Sequence, residues 1–202
     1  MSCARYIALE GAEGSGKSSQ ATRLAGDLGG VLTRETGGTR IGVRIREILH
    51  DTANTDLAHR AEALLTAADR AQHLQEVIVP ALAEGRDVIS DRSVYSSLAY
   101  QGYGRELDVD ELRRINDWAV NGRWPDLVIF LEVADDVLAQ RMRGRELDRF
   151  EQESGGFHGR VLAGFRAMAA AEPARWAVVD GNGSPDQVAT AIRRIVDERY
   201  PR

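Results

Sequence analysis

The sequence predicts an α/β domain in which helices flank a parallel sheet of five strands. Five short apolar runs alternate with helical patterns along the chain, and such alternation is typical of parallel strands joined by crossover helices. The first run ends in a glycine-rich loop that leads directly into a helical pattern. No repeat, low-complexity tract or linker divides the 202 residues, so a single domain covering residues 1–202 is expected.

Each predicted strand is a short apolar run bounded by polar residues or glycine. The five runs cover residues 5–9, 31–34, 87–90, 126–133 and 175–179. The longest helical pattern lies between the second and third runs, from about residue 57 to residue 83, with apolar side chains three and four residues apart. Pro80 falls near its end and is expected to bend the last turn.

Capping residues mark two further helix starts. Asp108 is followed three residues later by Glu111, and Ser184 is followed by Pro185 and Gln187. A charged segment with few apolar residues separates two later helical patterns and ends in Gly155-Gly156. We expect this segment, about residues 143–156, to form a mobile lid.

Composition and charge exclude several classes of protein. The net charge of -5 argues against binding of nucleic acid or an acidic membrane through general electrostatics. Cys3 is the only cysteine, which excludes an internal disulfide and a multi-cysteine metal site. No apolar run approaches the length of a membrane span, and the first strand begins too early to leave room for a cleaved signal peptide. The cytoplasm is therefore the expected compartment.

The run from Gly11 to Ser18 fits the phosphate-binding P-loop pattern G-x-x-x-x-G-K-[ST]. Its glycines permit backbone angles that let successive N–H groups, with the helix start behind them, hold anionic oxygens. Lys17 adds a positive charge for the outer phosphates, and the Ser18 hydroxyl can ligate Mg²⁺. The alternative is a chance glycine-rich turn, which the strand–loop–helix context disfavours. The loop thus predicts binding of a nucleoside triphosphate with Mg²⁺.

The rest of the chain distinguishes between P-loop chemistries. The sequence lacks Asn-Lys-x-Asp, which is typical of guanine-specific GTPases, and its third strand ends in Asp91-Arg92 rather than in Asp-Glu. An arginine beside the acidic residue suits a second phosphate group. An anionic phosphate acceptor needs no general base, but bringing two polyanions together requires Mg²⁺ and several cations. The candidate cations are Lys17, Arg34, Arg46, Arg70, Arg92, Arg143, Arg145 and Arg149.

Taken together, these segments resemble thymidylate kinases, in particular the bacterial type with an acidic P-loop and an arginine-bearing lid. The resemblance spans almost the whole chain. It rests on the P-loop with Glu13, Arg34-Glu35-Thr36-Gly37-Gly38-Thr39, Ile45-Arg46, Ala61-Glu62-Ala63-Leu64-Leu65 with Arg70, Asp91-Arg92, Ser96-Ser97-Leu98-Ala99-Tyr100-Gln101-Gly102, Pro125-Asp126-Leu127 and Leu147-Asp148-Arg149-Phe150-Glu151. It implies the P-loop nucleoside monophosphate kinase fold, transfer from ATP to dTMP with Mg²⁺, and a homodimer.

The resemblance also implies roles for individual residues. ATP would be held by Gly11, Glu13, Gly14, Ser15, Gly16, Lys17, Ser18 and Ser19, and the metal by Ser18 and Asp91. Substrate binding is implied for Glu13, Arg34, Glu35, Arg46, Thr66, Arg70, Arg92, Ser96, Ser97 and Gln101. Catalytic roles are implied for Lys17, Arg92, Arg143, Arg145 and Arg149, with the lid arginines closing over the triphosphate.

Three positions depart from the family pattern, all on the acceptor side. Thr36 stands where the family usually has proline, Thr66 where it has an aromatic residue that stacks on thymine, and Ser93 where it has an aromatic residue or histidine. Loss of a base–aromatic stack weakens binding by about 1–3 kcal/mol on the scale of single-strand binding. Two alternatives therefore stay open: a related kinase for another nucleoside monophosphate, and a nucleotide-binding module without activity.

Overall fold

Five parallel strands form one sheet in the order β2-β3-β1-β4-β5 in a computed structural model that describes residues 4–201. Cys3 lies outside the described residues. The strands are β1 (Tyr6–Gly11), β2 (Val31–Arg34), β3 (Val88–Asp91), β4 (Leu127–Glu132) and β5 (Trp176–Asp180). All five predicted strands are confirmed, and each boundary lies within two residues of its predicted position.

Helices connect the strands and cover both faces of the sheet. They are α1 (Lys17–Leu28), α2 (Arg40–His50), α3 (His59–His73), α4 (Val79–Ala83), α5 (Val94–Ser97), α6 (Val109–Ala119), α7 (Asp135–Arg141), α8 (Gly155–Ala171) and α9 (Pro185–Arg199). Two π-helical segments, Leu74–Ile78 and Leu98–Gly104, extend α3 and α5. Within residues 4–201 no helix is both long and apolar enough to cross a membrane.

The long predicted helix is present, but part of it is π-helical rather than α-helical. It begins at His59, passes through the π-helical segment and continues as α4 beyond Pro80. Pro80 lacks an N–H, and its ring crowds the carbonyl four residues earlier. The wider π turns lie directly before it, where they loosen the α-helical ladder.

The predicted caps on α6 and α9 are both confirmed. The Asp108 side chain accepts the N–H of Glu111 at 2.8 Å. Ser184 and Gln187 form a reciprocal capping box with bonds of 3.3 and 2.8 Å. Each cap satisfies backbone groups that a helix start otherwise leaves free.

Alternate side chains of β4 point into opposite core layers. Val128 and Phe130 pack on one face with residues of α8, whereas Leu127, Ile129 and Leu131 pack on the other with α1 and α9. A sheet that is covered on both faces reads as a continuous apolar run, as β4 does.

The carboxyl ends of β1, β2 and β3 meet at one edge of the sheet. Asp91 pairs in register with Leu9 of β1 and with Arg34 of β2. The P-loop follows β1, the loop beginning at Glu35 follows β2, and Arg92 follows β3. Since ligands of open α/β sheets bind outside the carboxyl ends of the strands, this edge is where a site is expected.

Candidate active site

A cavity of about 400 Å³ opens at the carboxyl edge of the sheet. Most residues predicted to bind nucleotides line its walls. These are Glu13, Gly14, Gly16, Lys17, Ser18, Ser19, Arg34, Glu35, Arg46, Thr66, Arg70, Asp91, Arg92, Ser96, Ser97, Gln101 and Arg145. Four other predicted residues, Gly11, Ser15, Arg143 and Arg149, are not part of the lining.

The P-loop carries its lysine at the base of the cavity. Gly16 has a φ of 93°, which a side chain would strain, and α1 begins at the next residue. The free N–H groups at the start of α1 therefore lie at the cavity wall. Lys17 is buried, and its Nζ donates to the carbonyl of Ala12 at 2.7 Å. Burial lowers the pKa of Lys17 and the charge of Arg92 lowers it further, while Glu13 opposes both effects.

Ser18 and Asp91 meet where α1 begins and β3 ends. The Ser18 hydroxyl donates a short hydrogen bond to Oδ2 of Asp91, and the buried Oδ1 has no hydrogen-bond partner within residues 4–201. Mg²⁺ takes oxygen ligands and usually obtains most of them from phosphates and water. No group of three or more His, Cys, Asp or Glu side chains in the described part of the chain could hold a metal alone. The pair therefore fits Mg²⁺ that a phosphate also ligates.

Arg92 has hydrogen bonds to several parts of the cavity wall. Its guanidinium donates to the Gly11 carbonyl at 3.2 Å and to the Tyr100 hydroxyl at 3.0 Å, and it pairs closely with Glu13. Its φ of 71° lies in the left-handed region, a conformation that costs about 1–3 kcal/mol. Burial opposes the charge, but the Glu13 carboxylate raises the pKa of Arg92 well above its usual value. A permanent cation is thus held at a strained turn, as functional sites often require.

Glu10 of β1 holds the turn after β3 in place through hydrogen bonds, and the sequence predictions did not include this residue. Its carboxylate accepts the N–H and hydroxyl of Ser93 at 2.8 and 2.7 Å, and the hydroxyl of Ser96 at 2.6 Å. Burial raises the pKa of Glu10, and the charge of Arg92 opposes this effect. A carboxylate inside an apolar strand, directly before the P-loop, was the signal that could have identified it.

Arg34 and Arg46 form a second cationic cluster in the cavity wall. Arg34 donates to the Gly37 carbonyl at 3.5 Å, and Arg46 donates to the carbonyl of Thr36, whose peptide bond to Glu35 is cis, at 3.2 Å. Burial lowers the pKa of Arg46, and the charge of Arg34 lowers it further. Two guanidinium groups that repel each other in this way suit a shared dianionic ligand such as a phosphate.

The loop that carries these contacts is held by a buried polar face of α3. Arg70 donates to Glu35 at 2.8 Å, and His73 lies 3.0 Å from the other oxygen of the same carboxylate. Asp69 accepts the Gly37 N–H at 3.0 Å. His73 is fully buried and is not part of the cavity lining. The long helix therefore contributes more than its apolar stripe.

Arg70, one of the predicted substrate-binding residues, uses most of its hydrogen-bond donors on other protein groups. Arg70 also donates to Ser97 at 3.1 Å, to the Ser93 carbonyl at 3.3 Å and, closely, to Asn116. Together with the bond to Glu35, this uses four of its five N–H groups, so at most one remains for a ligand.

Thr66 presents a hydroxyl where the family pattern has an aromatic ring. It donates to the Ala63 carbonyl at 2.8 Å and accepts from Ser97 at 3.1 Å. Gln101 donates to Glu62 at 2.8 Å. Phe150 belongs to the lid motif quoted above but was not among the predicted site residues, and it lines the same cavity. Its ring packs edge-on against Tyr100, at 5.9 Å between centroids, so the cavity still contains aromatic surface.

The arginines in and just before the lid divide into two groups. Arg141, at the end of α7, donates to the Gly181 carbonyl at 3.0 Å and lines the cavity with Arg145. Arg143 is exposed and is not part of the cavity lining. Arg149 donates to Glu62 at 2.6 Å and to the Leu49 carbonyl at 2.8 Å, outside the cavity. Arg141 also donates to the P-loop carbonyls of Gly14 and Ser15 at 3.5 Å, whereas Arg145 donates to Glu151 at 3.5 Å.

Comparison with known proteins gives a consistent result. A family model described as thymidylate kinase matches residues 9–192. A thymidylate kinase of Nitratidesulfovibrio vulgaris (strain DSM 19637 / Miyazaki F) is 45% identical over 204 residues, which cover 95% of each chain. One from Synechococcus sp. (strain JA-3-3Ab) is 47% identical over 201 residues, which cover 96% of each chain. The crystal structure of thymidylate kinase from Ehrlichia chaffeensis matches with a TM-score of 0.79 at 29% identity, covering 96% of this chain and 98% of that one.

Proposed function

The chain belongs to the thymidylate kinase family, and we propose that it transfers the γ-phosphoryl group of ATP to the 5′-phosphate of dTMP, giving ADP and dTDP. One observation carries this proposal: two separate anion-binding clusters face the same cavity. The P-loop with Lys17 forms one, and Arg34 with Arg46 forms the other. Arg92 lines the same cavity and is hydrogen bonded to the P-loop carbonyl of Gly11.

The proposed mechanism relies on position and charge rather than on a base. The acceptor oxygen is already anionic, so the protein must align it with the γ-phosphorus and neutralise the repulsion between the two ligands. Lys17 and the amides of the P-loop hold the donor phosphates, and Arg34 and Arg46 hold the acceptor phosphate. Arg92 stabilises the charge that develops on the transferred group.

Mg²⁺ is the proposed cofactor, with the Ser18 hydroxyl and the Asp91 carboxylate as the residues that would hold it. When bound, the ion would neutralise charge on the donor phosphates. The hydrogen bond between the two side chains supports this assignment because it fixes both oxygens at the phosphate end of the cavity.

The lid, about residues 143–156, is proposed to complete the donor side of a single-domain enzyme. Arg145 of the lid lines the cavity, as does Arg141 at the end of α7 just before the lid. Arg141 donates to the P-loop carbonyls of Gly14 and Ser15 at 3.5 Å, which supports a role in neutralising the triphosphate. Closure would exclude water from the transferred phosphoryl group. The proposed compartment is the cytoplasm, where ATP is available.

A second candidate function is transfer to another nucleoside monophosphate, and the Thr66 hydroxyl favours it. Thr66 and Ser97 present oxygens instead of a ring, while Arg70 has little hydrogen-bonding capacity left. With fewer hydrogen bonds from these residues to the nucleobase of the acceptor, the site discriminates less strongly between dTMP and other nucleoside monophosphates.

An acceptor panel distinguishes the two functions. Purified protein is given ATP with dTMP, dUMP, dCMP, UMP, CMP, AMP or GMP, with Mg²⁺ or with EDTA, and ADP release is coupled to an optical signal. We expect kcat/KM for dTMP to exceed that for every other acceptor by at least about tenfold, and activity to disappear in EDTA. A preference for a different acceptor would establish the second function instead, and ATP binding without transfer to any acceptor would establish a silent module.

A homodimer is the proposed assembly. Large apolar side chains are exposed on the neighbouring helices α2 and α3, among them Ile41, Ile48 and Leu64. The thymidylate kinase resemblance implies a dimer formed through such helices. Burying these side chains against a second copy would remove apolar surface from water.

Light scattering after size exclusion should give twice the 22.2 kDa of one chain. Leu64→Glu should shift the protein toward the monomer, because the introduced charge cannot be buried in an apolar interface. Arg194→Glu, at an exposed position of α9, serves as the matched control and should leave the mass unchanged. A monomeric wild-type protein at micromolar concentration contradicts the dimer.

A further inference from the structure

Glu62 is a fully buried carboxylate on α3 that lies behind the cavity wall rather than in it. Its Oε1 accepts from Gln101 at 2.8 Å and from Arg105 at 3.3 Å. Its Oε2 accepts from Arg105 at 3.1 Å and from Arg149 at 2.6 Å. One carboxylate thus joins three side chains from different parts of the chain.

Two of these partners lead to the lid and the third to the proposed acceptor site. Arg149 belongs to the lid itself, and Arg105 pairs with the lid residue Glu153 at 2.5 Å. Gln101 lines the cavity on the acceptor side. Glu62 therefore lies at the junction between the acceptor wall and the segment that covers it.

The lid has a further attachment to the same side of the cavity. Arg149 donates its side chain to the Leu49 carbonyl at 2.8 Å and its backbone N–H to the His50 carbonyl at 3.2 Å, both at the end of α2. His50 also lies 2.6 Å from Asp148. The lid is thus fastened to α2, which carries Arg46, as well as to α3.

Burial makes the Glu62 contacts hard to replace. Although desolvation raises the pKa of Glu62, hydrogen bonds from Arg105, Gln101 and Arg149 lower it below its usual value, so the group is ionised. Two carboxylates, Glu62 and Glu153, balance two guanidinium groups in this cluster. Removing one member leaves an uncompensated charge away from water.

We propose that Glu62 is a positioning residue that holds the lid over the cavity through Arg149, and so excludes water from phosphoryl transfer. The inference rests on the proposed function. Arg149 then acts through the position of the lid, not by touching the triphosphate. In transfer, the bond from the γ-phosphorus to the ADP oxygen breaks and a bond to the acceptor phosphate oxygen forms. When the lid is loose, a water oxygen takes that place and yields inorganic phosphate, and a proton passes to solvent.

The ratio of dTDP to ADP measures this role directly. Transfer forms the two products in equal amounts, whereas hydrolysis of ATP under a loose lid forms ADP without dTDP. Wild-type protein should form them in a ratio near one. Glu62→Gln places an amide N–H₂ toward at least one arginine N–H, whichever way the amide is turned, since Arg105 donates to both oxygens. Arg149→Met removes the lid partner but leaves Glu62 paired with Arg105 and Gln101.

We expect each variant to form dTDP about tenfold more slowly, the scale of one lost charged hydrogen bond, and to release ADP in excess of dTDP. The double variant should be no worse than either single one, because both remove the same contact. Arg149→Lys, which keeps the charge, should recover part of the ratio. Glu132→Gln, which breaks the surface pair with Arg166, is the control and should keep the ratio near one.

Three results would overturn the proposal. If Glu62→Gln keeps the wild-type rate and ratio while Arg149→Met is slow, Arg149 acts on the phosphates directly. If the effects of the two substitutions add fully, they do not act as a pair. If Glu62→Gln fails to fold, the test rests on Arg149→Met. A wild-type rate of dTDP formation by Arg149→Met, with a dTDP-to-ADP ratio near one, then rejects the positioning role of Glu62. A wild-type protein that forms no dTDP would refute the proposed function, and the same ratio is then measured with the acceptor that it does use.

Discussion

Replacing Lys17 by alanine is expected to lower kcat by about 10²–10³-fold, the range seen when a preorganised donor is removed from a developing negative charge. Lys17 is the side-chain cation of the P-loop, and its buried Nζ is held near the loop backbone by the Ala12 carbonyl. Because Lys17 is buried, little solvent is present to take over its role. Steady-state ADP release with saturating ATP and dTMP measures the loss.

The matched control for this prediction is Lys17→Met, which removes the charge but keeps most of the buried stem. If charge is what matters, both variants should be inactive, while only the alanine variant should also lose stability through the cavity that it creates. Thermal unfolding reports the stability of each. Wild-type turnover in either variant would contradict the role assigned to Lys17.

Local signals account for what the sequence could predict. Each strand is a short contiguous run of apolar residues, and the P-loop is a short contiguous pattern of glycines followed by a lysine. The parallel arrangement then brings Arg34 and Asp91 to one edge, because the carboxyl ends of parallel strands meet there. Most of the cavity lining follows from these facts and from the family resemblance.

Long-range contacts account for what the sequence could not predict. Arg149 was expected over the triphosphate, yet its partner Glu62 lies 87 residues away along the chain. Asp69 and His73 lie within a helical pattern that was interpreted from its apolar residues, but their buried polar contacts come from the loop after β2. Residue propensities and apolar periodicity do not indicate which carboxylate an arginine will pair with when the two residues are far apart in the sequence.

Arg92→Ala is expected to reduce kcat by about 10³-fold or more, as removal of an arginine that stabilises the transferred phosphoryl group does in other phosphoryl-transfer sites. The side chain is held in place by bonds to the Gly11 carbonyl and the Tyr100 hydroxyl, and its backbone adopts a strained φ of 71°. Arg92→Lys keeps the positive charge but loses the planar guanidinium, which can donate two parallel hydrogen bonds. Its kcat should therefore lie between those of the wild type and Arg92→Ala. Single-turnover transfer, with enzyme in excess, separates this chemical step from product release.

A structural explanation of Arg92 makes a different prediction. If Arg92 served only to compensate the charge of the half-buried Glu13, then neutralising both residues together should restore activity. We expect instead that Glu13→Gln combined with Arg92→Met is more stable than Arg92→Met, because Glu13 no longer carries an unpaired charge, but stays as slow as Arg92→Met alone. Recovery of turnover in the double variant would show that the pair, and not the guanidinium at the transferred group, is what the site requires.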